Sequence, residues 1–192
     1  MSTHSHIAHG LVCVAALACY GCSEPVPPAS EGAMALIFSS IGTGGDPCKI
    51  APHNAQIGHT DATANTELKK DTLGGAQIFC RVIDSGGQFE AQGYLDLGAT
   101  HLDFRVNNIS MDATDGAPAL GAVSYRSVDT IQLYSSPGDA PCEFYFSGAQ
   151  EIAAGRVWMQ FSCPQVANAG TGSSCAIATG STIAMQNCDQ EK

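Results

Sequence analysis

The sequence predicts an all-β domain, an antiparallel β-sandwich, with a partly closed barrel as the alternative. Apolar and polar residues alternate in several short runs, which is the pattern of strands with one buried face. Turn residues separate these runs at regular intervals, as antiparallel hairpins require. Charged residues make up only 14% of the chain, and no long amphipathic helix is visible. We therefore expect about eight or nine strands packed as two sheets and stapled by disulfides.

The strand-like runs follow one another through most of the chain. The opening run spans 34–41, and the polar segment 43–73 is expected to be a long loop with room for one short strand. Further alternating runs lie at 78–82, 89–97, 102–106, 131–133, 144–146, 157–161 and 183–185. Between them stand turn residues such as Asp84-Ser85-Gly86-Gly87, Asp115-Gly116 and Pro137-Gly138-Asp139.

The first residues predict export. An apolar run at 7–18 is too short to span a bilayer and precedes several small residues, which is the layout of a signal peptide at 1–21. The polar, Pro-containing segment 22–32 is expected to be a flexible linker, and 33–192 is expected to be the β-sandwich domain.

Two ways of cleaving this signal peptide compete. Ala16-Leu17-Ala18 is an Ala-x-Ala site for plain secretion, whereas Gly21 before Cys22 resembles the lipobox of bacterial lipoproteins, in which the cysteine is acylated. Cys19 as the acylated residue would leave an odd number of thiols, while Cys22 leaves an even number. We favour lipidation of Cys22, which implies a lipid-anchored protein at the cell outer membrane or in the extracellular space.

Six cysteines in the predicted domain indicate three disulfides rather than a metal site, because no Cys-x-x-Cys pair occurs and an exported chain meets oxidising conditions. They are Cys48, Cys80, Cys142, Cys163, Cys175 and Cys188. A link between Cys48 and Cys80 is the favoured local pairing. For the other four, Cys142 to Cys163 across a hairpin competes with Cys163 to Cys175 and Cys142 to Cys188.

Charge and motif content exclude several function classes. The net charge of -10 disfavours nucleic acid and anionic membrane surfaces, which bind clustered Lys and Arg. Asp84-Ser85-Gly86-Gly87 copies part of a serine-protease motif, but too little chain precedes it, and a hairpin turn explains it fully. The histidines of the domain form no ligand pair and are expected to be exposed. We therefore predict no catalytic residues and no enzyme.

Two weaker sites are candidates for binding. Tyr145 and Trp158 are expected on the face opposite the Phe144 and Phe161 stripe, where two rings would be diagonal neighbours able to stack on a sugar. Asp112 and Asp115 are candidate ligands for calcium, which prefers carboxylate and carbonyl oxygens, although no other cofactor is expected.

The C-terminal half contains EFYFSG after Cys142, then GRVWMQFSCP, then Cys175 and a terminal Asn187-Cys188. In these features it resembles a group of uncharacterised lipoproteins from myxobacteria and their relatives. The resemblance implies a Gly-rich, disulfide-bearing β domain on an outer membrane and brings no activity, cofactor or catalytic residue. Two functions follow as expectations: a non-enzymatic surface protein with a structural or adhesive role, or a calcium-assisted module that binds an envelope glycan or another ligand. A protein partner is equally compatible with the first.

Overall fold

The structure is a computed structural model that describes residues 26–41, 48, 50, 52–60 and 68–191. It is built almost entirely of strands, with one short 3-10 turn at Leu73–Gly75. The strands are β1 (Glu31–Ser39), β2 (His53–Ile57), β3 (Lys69–Lys70), β4 (Gln77–Asp84), β5 (Phe89–Leu97), β6 (Thr100–Ile109), β7 (Ala119–Arg126), β8 (Tyr134–Ser135), β9 (Cys142–Tyr145), β10 (Glu151–Ala153), β11 (Arg156–Ala167) and β12 (Ser174–Gln186). Within the described ranges, no helix is long and apolar enough to cross a membrane.

All strands belong to one antiparallel sheet, so the predicted all-β antiparallel fold is confirmed. The order is β2-β1-β12-β11-β8-β7-β6-β5-β4, with β9 between β11 and β7 and the short β3 and β10 pairing β1 and β11. The two predicted sheets are therefore two halves of one sheet. Strands β2 and β4 stand at its two ends, and the sheet does not close into a barrel.

The two halves pack face to face, as in a sandwich. A Cβ atom placed on Gly93 of β5 would lie 3.0 Å from Sδ of Met185 in β12. Likewise, a Cβ on Gly32 of β1 would lie 3.0 Å from Leu95 of β5 and 3.3 Å from Ile78 of β4. Glycine permits this close approach because it has no side chain, and the halves enclose a common core.

The core follows from the alternation of the strands, because every second side chain points between the halves. Its largest fully buried members include the aromatic residues Phe38, Phe104, Tyr125, Phe144 and Phe161. The Phe144 ring stacks on Phe161 with centroids 5.9 Å apart and lies 6.5 Å from Phe104. The predicted inward stripe on β9 and β11 is therefore confirmed.

Three predictions about strands were wrong. Residues 131–133 form a loop, in which Ile131 has a φ of 55° and is 79% exposed. The segment 43–73, expected to be mainly loop, contains β2 and β3. Strand β7 was not predicted at all, because small residues such as Gly121 and Ala122 hide its alternation.

The described domain begins before residue 33. Strand β1 starts at Glu31, and the side-chain amide of Asn187 donates a hydrogen bond to the Ala29 carbonyl at 3.1 Å. The Ser30 hydroxyl donates to the Asn187 carbonyl at 3.3 Å. The last residues of the predicted linker are thus held against the domain. The predicted signal peptide and Cys22 lie outside the described residues.

The disulfides are Cys48–Cys175, Cys80–Cys188 and Cys142–Cys163. The cross-strand pairing of Cys142 with Cys163 is confirmed, because both lie on the inner face of neighbouring strands β9 and β11. The predicted link from Cys48 to Cys80 is wrong, as is the alternative set for the C-terminal cysteines. Cys48 bonds instead to Cys175, at the start of β12. Cys80 of β4 bonds to Cys188, which lies just after the end of β12.

Candidate functional site

Tyr145 and Trp158 lie on the same outer face of the sheet, as predicted. Tyr145 pairs with Gln160 across β9 and β11, and Gln160 is two residues from Trp158, so the two aromatic residues are diagonal neighbours. Their environments differ. Trp158 is partly exposed, whereas Tyr145 is only 4% exposed. The prediction of an exposed two-ring platform is therefore wrong.

Tyr145 is inaccessible because other parts of the chain surround it. Burial raises the pKa of its hydroxyl above the usual value, and the negative charges of Asp115 and Glu143 raise it further. A hydrogen bond to the backbone of Gly180 opposes this rise. Gly180 belongs to an irregularity in β12, between the residues that pair with Phe161 and Cys163. Tyr145 therefore does not present an exposed ring on this face.

Trp158 lies in a groove of about 440 Å³ on the outer face of β1, β12 and β11. We call this the Trp158 groove; it is lined by Glu31, Leu68, Ala149, Glu151, Arg156, Val157, Trp158, Ala184, Met185 and Gln186. Trp158 pairs with Ala184 of β12, which in turn pairs with Ala33 of β1. The small Ala184 side chain beside the indole leaves a concave space, which is the shape that small-ligand sites take.

The Nε1 atom of the Trp158 indole is buried and has no hydrogen-bond partner among the described residues. A buried donor without an acceptor costs about 1–3 kcal/mol. Such groups are rare in folded proteins, so each needs an explanation, and an acceptor supplied by a bound ligand or by water is one.

Charged groups of both signs line the rim of the groove. Arg156 Nη2 lies 2.9 Å from Glu151 Oε1 on one side. On the other side Glu31 accepts a hydrogen bond from the Gln186 amide, and Lys70 Nζ lies 3.8 Å from Glu31 Oε1. The lining itself holds two acids and one base, and Lys70 pairs with Glu31 from outside the lining, so each acid has a basic partner.

Asp112 and Asp115, the candidate calcium ligands, lie in two successive turns. The turn that contains Asp112 is closed by a hydrogen bond from the Ala113 amide to the Ser110 carbonyl, at 3.0 Å. The turn that contains Asp115 and Gly116 is closed by backbone pairing between Thr114 and Ala117. Both carboxylates are exposed. Over the described residues, no cluster of three or more His, Cys, Asp or Glu residues has the geometry to hold a metal ion.

The Asp84-Ser85-Gly86-Gly87 segment forms the hairpin turn between β4 and β5. Ser85 donates its amide to the Gln88 carbonyl at 2.8 Å, and the Gly87 amide donates to Asp84 Oδ1 at 2.8 Å. Gly86 and Gly87 have φ values of 77° and 87°, which glycine adopts without strain. The turn interpretation is confirmed.

The prediction that the histidines are exposed was wrong for His53, whose side chain is 10% exposed. Its Nε2 atom lies 2.8 Å from Tyr125 Oη, and its Nδ1 atom lies 3.3 Å from Asp129 Oδ2. His101 is partly exposed, with Nδ1 2.8 Å from Asp96 Oδ1. Both histidines are thus paired with an aspartate. His53 and Asp129 are far apart in sequence, and His101 and Asp96 lie on adjacent strands, so neither contact could be recognised from the spacing of the residues along the chain.

Tyr125, the third member of the His53 cluster, is fully buried, whereas the Asp129 side chain at the other end of the cluster is 67% exposed. Burial raises the pKa of Tyr125 above its usual value, a hydrogen bond with Ser127 lowers it and the charge of Asp129 raises it. The cluster joins β2 and β7.

The chain was compared with models of known protein families, with curated proteins and with solved structures, and no match was found in any of the three.

Proposed function

We propose that this protein is an exported, non-enzymatic cell-surface protein with an adhesive role, which binds an envelope glycan in the Trp158 groove. A lipid on Cys22 would hold it at the outer membrane. The proposal combines the two expected functions, because a groove that binds an envelope glycan would allow the protein to act in adhesion.

Three buried disulfides are typical of proteins that function outside the cytoplasm, in the extracellular space or the cell envelope. The lipid anchor is supported by the Gly21-Cys22 sequence and by the resemblance to outer-membrane lipoproteins. Metabolic labelling with a radioactive fatty acid tests the anchor directly. We expect label in the wild-type chain and none in Cys22→Ser; label that persists in Cys22→Ser would contradict it.

The Trp158 groove is the observation that carries the proposal. A sugar ring has C–H groups on one face and hydroxyls at its edge, so it needs an apolar surface flanked by planar polar groups. Trp158 supplies the apolar surface, while Arg156, Glu151 and Gln186 supply the polar groups. Because each acid of the groove is already paired with a base, a neutral ligand fits it better than a strongly charged one.

The binding test uses the full-length protein with its disulfides intact and measures its melting temperature with envelope polysaccharides. A ligand at a hundredfold excess over its Kd stabilises the folded state by about 2.7 kcal/mol. Trp158 is the only tryptophan, so its fluorescence reports on the groove alone. We expect a change in fluorescence together with a rise in melting temperature, and loss of the rise in Trp158→Ala.

Leu133→Ala is the matched control, because Leu133 is an exposed apolar residue outside the groove. Its melting shift should equal that of the wild type. Parallel runs in EDTA and in calcium, with Asp112→Asn as a variant, test the calcium-assisted form of the proposal. If no polysaccharide changes either signal, the groove is not an adhesive site and a structural role is left.

A further inference from the structure

We propose that the outer face of β4, β5 and β6 carries a second carbohydrate-binding surface, formed by a row of three rings, Phe79, Tyr94 and His101. Phe79 pairs with Tyr94 in register, and their ring centroids are 5.8 Å apart with planes inclined by 26°. Tyr94 and His101 are 6.3 Å apart and inclined by 29°. We call these residues the aromatic row.

The two ends of the aromatic row differ: His101 is held by a contact with Asp96, and Phe79 is exposed to solvent. His101 is fixed by its contact with Asp96 at 2.8 Å, and its ring in turn supports Tyr94. At the other end Phe79 is 39% exposed, so part of its ring faces solvent. A rigid ring that faces solvent can be stacked upon at little cost in entropy.

A hollow of about 250 Å³ lies beside the row and has polar walls. Phe79 and Tyr94 form its apolar side, and Gln92, Asp103 and Arg105 provide an amide, a carboxylate and a guanidinium. Arg105 is steadied by Glu90 Oε1, 3.1 Å from its Nη2 atom. Apolar ring faces with planar hydrogen-bonding groups at their edge are complementary to a sugar, whose C–H face is apolar and whose hydroxyls project outward.

The charges around the row favour a neutral polysaccharide. The same outer face carries three acids, Glu90, Asp96 and Asp103, and three arginines, Arg81, Arg105 and Arg126. They balance locally although the whole chain has a net charge of -10. A polyanion would be repelled by the chain as a whole, and a polycation would find no local excess of acid.

This surface is separate from the Trp158 groove. Met185 of β12 packs against Gly93 of β5 inside the sandwich, so the outer faces of these two halves point in opposite directions. Trp158 and Phe79 lie on those two outer faces. The two sites therefore do not compete, and the inference stands whether or not the groove binds a glycan.

The test is affinity electrophoresis of the full-length, disulfide-bonded protein in native gels that contain dextran, a soluble β-glucan or a mannan, with alginate as an anionic comparison. We expect at least one neutral polysaccharide to slow the protein and alginate not to. Phe79→Leu keeps an apolar side chain but removes the ring, and we expect it to raise the Kd about tenfold, the loss of one stacking contact. Tyr94→Ala should have at least the same effect.

Leu120→Ala is the matched control, since Leu120 is 56% exposed on the outer side of β7, away from the row. It should migrate like the wild type. The inference is overturned if no neutral polysaccharide slows the wild type, if only alginate does, or if Phe79→Leu is slowed as much as the wild type. Retardation that is lost in Trp158→Ala but kept in Phe79→Leu assigns the binding to the groove and also overturns it.

Discussion

The Nε2 atom of His53 lies 2.8 Å from the Oη atom of Tyr125, joining β2 at one end of the sheet to β7 in the other half. Asp129 lies on the opposite side of the imidazole, 3.3 Å from Nδ1. Every polar hydrogen is paired if Nδ1–H donates to Asp129 and the Tyr125 hydroxyl donates to Nε2. The contact provides a hydrogen-bond partner for the hydroxyl of a fully buried tyrosine, so its removal should destabilise the folded state.

We predict that His53→Leu destabilises the protein by about 1–3 kcal/mol, because the buried Tyr125 hydroxyl loses its contact with His53 and keeps only its hydrogen bond with Ser127. Tyr125→Phe removes that hydroxyl, so the double variant should lose less stability than the two single changes added together. Urea unfolding with intact disulfides measures all three. Strictly additive losses would show that the two side chains do not interact.

Alkaline pH should destabilise the fold through its buried tyrosines. Burial raises the pKa of both Tyr125 and Tyr145 above the ordinary value of 10.0, so the folded state holds these protons to a higher pH than the unfolded state. The stability they contribute is fully present below about pH 10 and is lost as the pH rises through their folded-state pKa values.

The measurement is the urea midpoint of unfolding as a function of pH, over a range that starts at about pH 8 and extends beyond the ordinary tyrosine pKa. Tyr145→Phe should flatten the decline because one of the two shifted groups is gone. A decline equally steep in Tyr145→Phe would contradict the assignment.

Removal of the indole donor of Trp158, which has no partner among the described residues, should cost little. Trp158→Phe deletes the buried Nε1–H group, which costs about 1–3 kcal/mol while unsatisfied, and this gain offsets the smaller apolar area of phenylalanine. We expect the unfolding free energy of Trp158→Phe to lie within about 1 kcal/mol of the wild type, and Trp158→Ala to lose more. A loss in Trp158→Phe as large as in Trp158→Ala would show that Nε1–H is satisfied in solution.

The three disulfides should contribute unequally. Their sequence separations are 127 for Cys48–Cys175, 108 for Cys80–Cys188 and 21 for Cys142–Cys163. Closing a longer loop removes more entropy from the unfolded chain, about 3 kcal/mol for a loop of ~15 residues and about 4.7 kcal/mol for ~100. Replacing both cysteines of a pair by alanine should therefore cost least for Cys142 and Cys163. Peptide mapping without reduction tests the pairing itself, and a Cys48 to Cys80 peptide would refute it.

The sequence predicts the fold class well because alternation is a local signal, and β4, β5, β6, β9 and β11 all carry it clearly. It fails where the structure depends on distant parts of the chain. The partner of Cys48 is decided by where the start of β12 lies, and the burial of Tyr145 by the backbone of Gly180. The aromatic row escaped notice because its members come from three strands whose register the sequence does not state.

Strand β7 was also missed because of its packing. The close approach of neighbouring strands requires small residues in β7, and these weaken the alternating pattern that predicts a strand. A Cβ on Gly121 would clash with the carbonyl oxygen of Arg105 and lie 2.7 Å from Cε2 of Phe144. Position 121 therefore excludes the larger residue that would have marked a strand. Gly121→Ala should destabilise the protein by about 1–3 kcal/mol through overpacking.

Gly116→Ala is the matched control for this change. A Cβ atom on Gly116 would have no neighbouring atom within 4 Å, and the residue lies in an exposed turn, so its substitution should alter the unfolding free energy by less than about 0.5 kcal/mol. Urea midpoints of the two variants, measured side by side, provide the comparison. Equal midpoints would mean that β6, β7 and β9 are not packed as tightly around position 121 as the Arg105 and Phe144 contacts require.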